Sequence, residues 1–87
     1  MQQAKQENPL KQALSSAGIG LNDFAAVAGV DVSAVYRVFS GSAGRLSGSI
    51  VEALNAFGVD GENVRKDYEN YRAERAREAL AERNVIE

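Results

Sequence analysis

In a chain of 87 residues with neither histidine nor cysteine, the side chains left to do chemistry are hydroxyls, amides, carboxylates and cations. The missing histidine removes the commonest general base and metal ligand, and the missing cysteine removes thiolate nucleophiles, thiolate metal sites and disulfides. No carboxylate pair or nucleophile–base pair stands at a meaningful spacing, so catalysis, a metal and a cofactor are not expected. The chemistry that remains is recognition. Val32, Ser33, Tyr36 and Arg37 are spaced so that a helix would present them on one face, with Ser40 beside them. Arg37 brings a planar cation with five donors. The stretch Ser40 to Gly48, rich in Ser and Gly, adds one further cation, Arg45.

The elements that must hold this face are punctuated by glycine. Asn8-Pro9 reads as a helix start, with Asn as cap and Pro at the first helical position, and Leu10, Ala13, Leu14 and Ala17 form the apolar stripe that follows. Gly18 ends it. A second helix spans about Leu21 to Ala28, with Leu21, Phe24, Ala25 and Ala28 on one face and Gly20 or Asn22 as its cap. Gly29 makes the sharp turn, and a third helix starts after Asp31 with Val35, Val38 and Phe39 inward. A fourth helix begins at Ser47 or Ser49 and buries Ile50, Val51, Leu54 and Phe57; a fifth runs from near Asp60 to about Arg83. The expected fold is all-α, a compact five-helix bundle with a longer C-terminal helix. Residues 1–8 are expected as a flexible N-terminal segment, 9–60 as the main domain and 61–87 as a charged helix packing on it.

Two short helices about a tight glycine turn, Leu21 to Gly41, make a helix-turn-helix unit, whose second helix can lie in a DNA major groove. The sequence resembles the phage lambda repressor and Cro type of helix-turn-helix family. The resemblance rests on Gly18-Ile19-Gly20-Leu21, Phe24-Ala25, Ala28-Gly29-Val30, Ser33, Val35, Val38-Phe39-Ser40-Gly41, and Leu54 with Phe57-Gly58-Val59. It implies a lambda-repressor-like domain that binds double-stranded DNA. Its recognition face falls on Val32, Ser33, Tyr36 and Arg37, and its backbone-anchoring positions fall on Leu21, Asn22, Ser40 and the loop before the fourth helix. Arg37 would hold guanine O6 and N7, and Tyr36 and Val32 would meet a phosphate or a thymine methyl. Ser33, Ser40, Ser42, Arg45 and Ser47 would contact phosphates. The sequence departs from the family at Leu21 and Val32, where many members carry glutamine.

Each of these residues has a plainer role open to it. Gly29 and Gly41 serve as turn and cap in any helical bundle, Arg37 and Arg45 are ordinary solvated cations in many proteins, and Tyr68 and Tyr71 at helical spacing suit core or dimer packing better than base stacking. Net charge also gives no global attraction for nucleic acid: ten Lys and Arg against twelve Asp and Glu leave −2, with the whole deficit in the stretch from Asp60 onward. The alanine-rich run from Arg72 to Arg83 favours helix, with Glu62–Lys66 and Glu74–Arg77 as supporting pairs. Its small side chains would admit a second copy, so a homodimer is expected through Tyr71, Ala76, Leu80, Val85 and Ile86. The expected function is a sequence-specific DNA-binding transcriptional regulator, a repressor of a phage, plasmid or other mobile element. The alternative is a helix-turn-helix-fold protein-interaction module (an antirepressor, an assembly subunit or a polymerase-binding factor) that does not read DNA. No apolar run reaches the ~20 residues of a membrane span and no charged leader precedes an apolar core, so a cytoplasmic location is expected.

Overall fold

The computed structural model describes residues 7–86, the side chains of 83–86 excepted. Five helices occupy this span: α1 (Pro9–Ala17), α2 (Leu21–Ala28), α3 (Val32–Phe39), α4 (Gly48–Ala56) and α5 (Gly61–Ile86), with no strand among the described residues. The fold is therefore all-α. The expected boundaries of α1 to α3 agree closely, and α4 takes Ser47 as its cap, its Oγ accepting from the Ile50 amide at 3.3 Å.

Three helices stop in the same way. The backbone turns left-handed at Gly18, Gly29 and Gly58, and the next amide (Ile19, Val30 or Val59) bonds the carbonyl five residues back, at 2.9 to 3.1 Å. At Gly29 this stop has a consequence for the site. Its φ of 72° is a conformation that a Cβ disfavours, and it lets α3 begin only three residues after α2 ends.

The stripes then meet in one core. Leu10 and Leu14 of α1, Phe24, Ala25 and Ala28 of α2, Val35 and Val38 of α3, and Ile50, Ala53 and Leu54 of α4 are buried together with Val64, Tyr68 and Tyr71 of α5. Helix α5 packs on α1 and α4, while α2 joins α3 to α4. Phe57, expected inward, is instead 38% exposed at the rim, its ring 6.2 Å from that of Phe24. Leu46 enters the core from the loop ahead of α4.

Asn8 corrects the expectation of a flexible segment through residue 8. It is 7% exposed and caps two helices at once. Its Oδ1 accepts from the Leu10 and Lys11 amides, each at 3.1 Å, satisfying the start of α1. Its Nδ2 donates to the carbonyls of Val38 at 2.8 Å and Phe39 at 3.1 Å, tying the end of α3 to the start of α1. Glu7 is exposed, and the rest of the expected flexible segment, residues 1–6, lies outside the described residues.

Candidate nucleic-acid interface

The exposed face of α3 is fixed from behind. Val35 and Val38 are buried, Asn8 holds the last carbonyls, and Ser33, Tyr36 and Arg37 are left in solvent, with Ser40 continuing the same strip one turn on. Tyr36 is 55% exposed and sets its ring edge-on to Phe39, centroids 6.0 Å apart. That contact orients the phenol. Val32 is only half-exposed because it packs on the core cluster, which shortens its reach toward anything lying across α3.

On α2, Asn22 is exposed in the first turn, and the cap position Gly20 gives the helix no side-chain bond. Asp31 occupies the cap position of α3 and likewise makes no side-chain cap. The backbone amides opening these two helices therefore have no side-chain acceptor. Arg45 and Ser47 are exposed in the loop before α4, where the Ser47 oxygen is engaged by the Ile50 amide.

Ser40 and Ser42, expected as phosphate contacts, are exposed and bonded within the loop. Both hydroxyls point to one acceptor, the Arg37 carbonyl, at 3.0 and 3.2 Å, and they lie 3.0 Å from each other. A hydroxyl has one hydrogen to give. On the Arg37 carbonyl, which also accepts from the Ser42 and Ala43 amides at 3.0 and 3.1 Å, that hydrogen shapes the loop.

The loop is fastened from the far side by α5. The Tyr68 hydroxyl donates to the Ala43 carbonyl at 2.7 Å, Arg72 donates to Gly41 and Gly44 carbonyls at 3.1 and 3.2 Å, and Arg75 donates to the Ser40 carbonyl at 3.3 Å. Desolvation by burial pushes the Tyr68 hydroxyl above the usual tyrosine range, with the nearby Arg72 pulling the other way. Arg75 also donates to the Tyr71 hydroxyl at 3.1 Å and lies 5.6 Å from the centre of its ring. The signal for this grip was in the sequence as Tyr68, Arg72 and Arg75, spaced i, i+4, i+7 on one helix face, but two charged members made the face look solvated.

Tyr71 is thereby corrected from a dimer residue to a core residue. It is buried against its own chain and stacked on Tyr68 at 6.0 Å, so it has little surface left for a second copy. Ala76 and Leu80 are exposed, Leu80 at 58%. Val85 and Ile86, the other two expected dimer contacts, have side chains outside the described residues. Of the expected α5 pairs, Glu74–Arg77 forms at 3.4 Å, whereas Glu62 pairs with Arg65 in place of Lys66. The Arg65 guanidinium holds the Glu62 carboxyl below its usual range.

Among the described residues, no three acidic side chains lie close enough together to hold a metal ion, and no helix is long and apolar enough to cross a membrane. No family model matches the chain, and no similar curated protein or solved structure is found.

Proposed function

We propose that this chain is a sequence-specific double-stranded DNA-binding regulator of the lambda-repressor-like type, a repressor of a phage, plasmid or other mobile element acting in the cytoplasm. The observation that carries this reading is the outward strip of Ser33, Tyr36 and Arg37 on a helix whose opposite side is fixed by Val35, Val38 and Asn8. A short helix held rigidly and presenting a guanidinium and a phenol is suited to a major groove: the guanidinium matches the O6 and N7 acceptors of guanine, and the phenol reaches a phosphate or a thymine methyl. Two copies would place two α3 helices in successive grooves, with half-sites about one helical turn, ~34 Å, apart.

A second reading has one observation of its own. Val27 and Tyr36, 54% and 55% exposed, put two large apolar surfaces on the same helix pair in a chain of net charge −2, which suits a protein partner that does not require cations.

Selection from random duplex DNA at two salt concentrations separates the two. Enrichment of a palindrome with half-sites about 10 base pairs apart is expected, and Arg37→Ala should relax the preference at one base pair in each half-site. No retention of DNA even at the lower salt would defeat the groove reading and leave the protein-partner reading standing.

A further inference from the structure

We infer that Arg72 and Arg75 of α5 form a phosphate-contacting site beside α3, so that the DNA backbone leaving the groove runs over the first half of the acidic C-terminal helix. This rests on the DNA-binding reading and extends it to a helix whose overall charge argues against such a role.

The place itself starts out unfavourable to an anion. It follows the C-terminal end of α3, where the helix dipole puts partial negative charge. The two guanidinium groups reverse that. They cover the Ser40, Gly41 and Gly44 carbonyls, while Tyr68 takes that of Ala43. Four carbonyls of the loop thus turn toward α5, and two whole positive charges stand where the partial negative charge would have been.

Both arginines have capacity left. Each spends two of its five N–H groups, Arg72 on two loop carbonyls and Arg75 on the Ser40 carbonyl and the Tyr71 hydroxyl. Three on each remain for a ligand. Neither is ion-paired among the described residues, in contrast to Arg65, which is held by Glu62 and Glu69, and Arg77, which is held by Glu74. Glu69 shares a shallow hollow with Arg72 and Gly44, but its carboxylate is engaged by Arg65 at 2.7 Å. Planar guanidinium groups with parallel donors suit phosphate oxygens, and here their orientation is already fixed by the loop.

Position completes the case. Ser40, whose carbonyl Arg75 holds, lies one turn beyond Arg37 on the exposed strip of α3. On the other side of Gly44, a second hollow is lined by Arg45. A cationic track therefore runs from Arg37 past Arg75 and Arg72 to Arg45. It adds phosphate donors beside Ser40 and Ser42, whose hydroxyls are bonded within the loop.

The test is a salt titration of the full chain binding a nonspecific DNA duplex, for the wild type, the R72Q/R75Q double variant and the R72K/R75K double variant. Loss of both charges should weaken binding equally on all sequences and reduce the slope of log affinity against log salt by about two units, one per arginine. The lysine pair should recover that slope, because a point charge still releases a counterion even where the fork to the loop is lost. A wild-type slope in R72Q/R75Q overturns the inference, and so does a slope that stays low with lysine, which would make the arginines purely loop fasteners. Failure of the wild type to bind any duplex overturns the DNA-binding reading itself, and the site with it.

Discussion

Asn8 is the smallest unit in which sequence, packing and site meet. The dipeptide Asn8-Pro9 announces a helix start, and the structure bears that half out through the bonds to the Leu10 and Lys11 amides. The other half was not legible, because the carbonyls it receives lie 30 and 31 residues further on, at Val38 and Phe39. Asn8→Asp separates the two roles. A carboxylate keeps the acceptor for α1 but has no hydrogen for α3, and it sets a negative oxygen against two buried carbonyls. The expected loss is about 2–3 kcal/mol of stability by urea unfolding at neutral pH; an Asp variant as stable as the wild type would show that the α3 bonds contribute nothing. Tyr68 supports a prediction in pH. Its hydroxyl titrates higher in the folded chain than in the unfolded one, so above the unfolded value the native state retains a proton that the unfolded state has released. Its contribution to stability is therefore complete below about pH 10 and declines as pH rises toward the folded value. Tyr68→Phe should flatten that decline relative to the wild type, at the cost of the bond to the Ala43 carbonyl. An identical alkaline slope in both proteins would place the titration elsewhere.

Among the elements, legibility followed the apolar stripe. Helices α1 to α3 combine glycine stops with buried residues at helical spacing, and their bounds could be read almost to the residue. The loop before α4 was harder, since the burial of Leu46 belongs to no periodic pattern. Helix α5 is the least legible in what it does: its tyrosines signal packing, while nothing in the spacing of Arg72 and Arg75 points to the loop carbonyls opposite them, which lie 28 to 35 residues away. The start of α5 has a requirement of its own. Gly61 is buried where the helix meets α4, its amide bonded to Asn55 Oδ1 at 2.9 Å, and an added Cβ would collide with the Val51 carbonyl oxygen. A backbone atom cannot rotate out of the way. Gly61→Ala should therefore cost about 2–3 kcal/mol, read as a lowered urea midpoint, although alanine is the better helix former. An unchanged or raised midpoint would mean that α5 can shift away from α4 without loss.

At the scale of the molecule, α5 is longer than the body it packs on. Its 26 residues extend about 39 Å, in a molecule 26 Å and 20 Å across its shorter axes. The part up to Arg75 closes the core and grips the loop; the described residues beyond it are exposed. Leu80 is the large exposed apolar side chain among those described residues, and a homodimer through it makes a direct prediction. Leu80→Glu should yield a monomer by light scattering at concentrations where the wild type is a dimer, with stability within about 0.5 kcal/mol. A wild type that is monomeric at all accessible concentrations would remove the dimer, and two-half-site recognition would go with it. The grip of α5 on the loop also sets an order of manufacture. A ribosome makes α1 to α4 first, but Tyr68, Arg72 and Arg75 must follow before the loop at the end of α3 has its anchors. Until then the nascent chain holds the whole helix pair with its closing loop unfastened, so under the proposed DNA-binding role a product cut short ahead of Tyr68 should compete poorly with full-length chains for DNA.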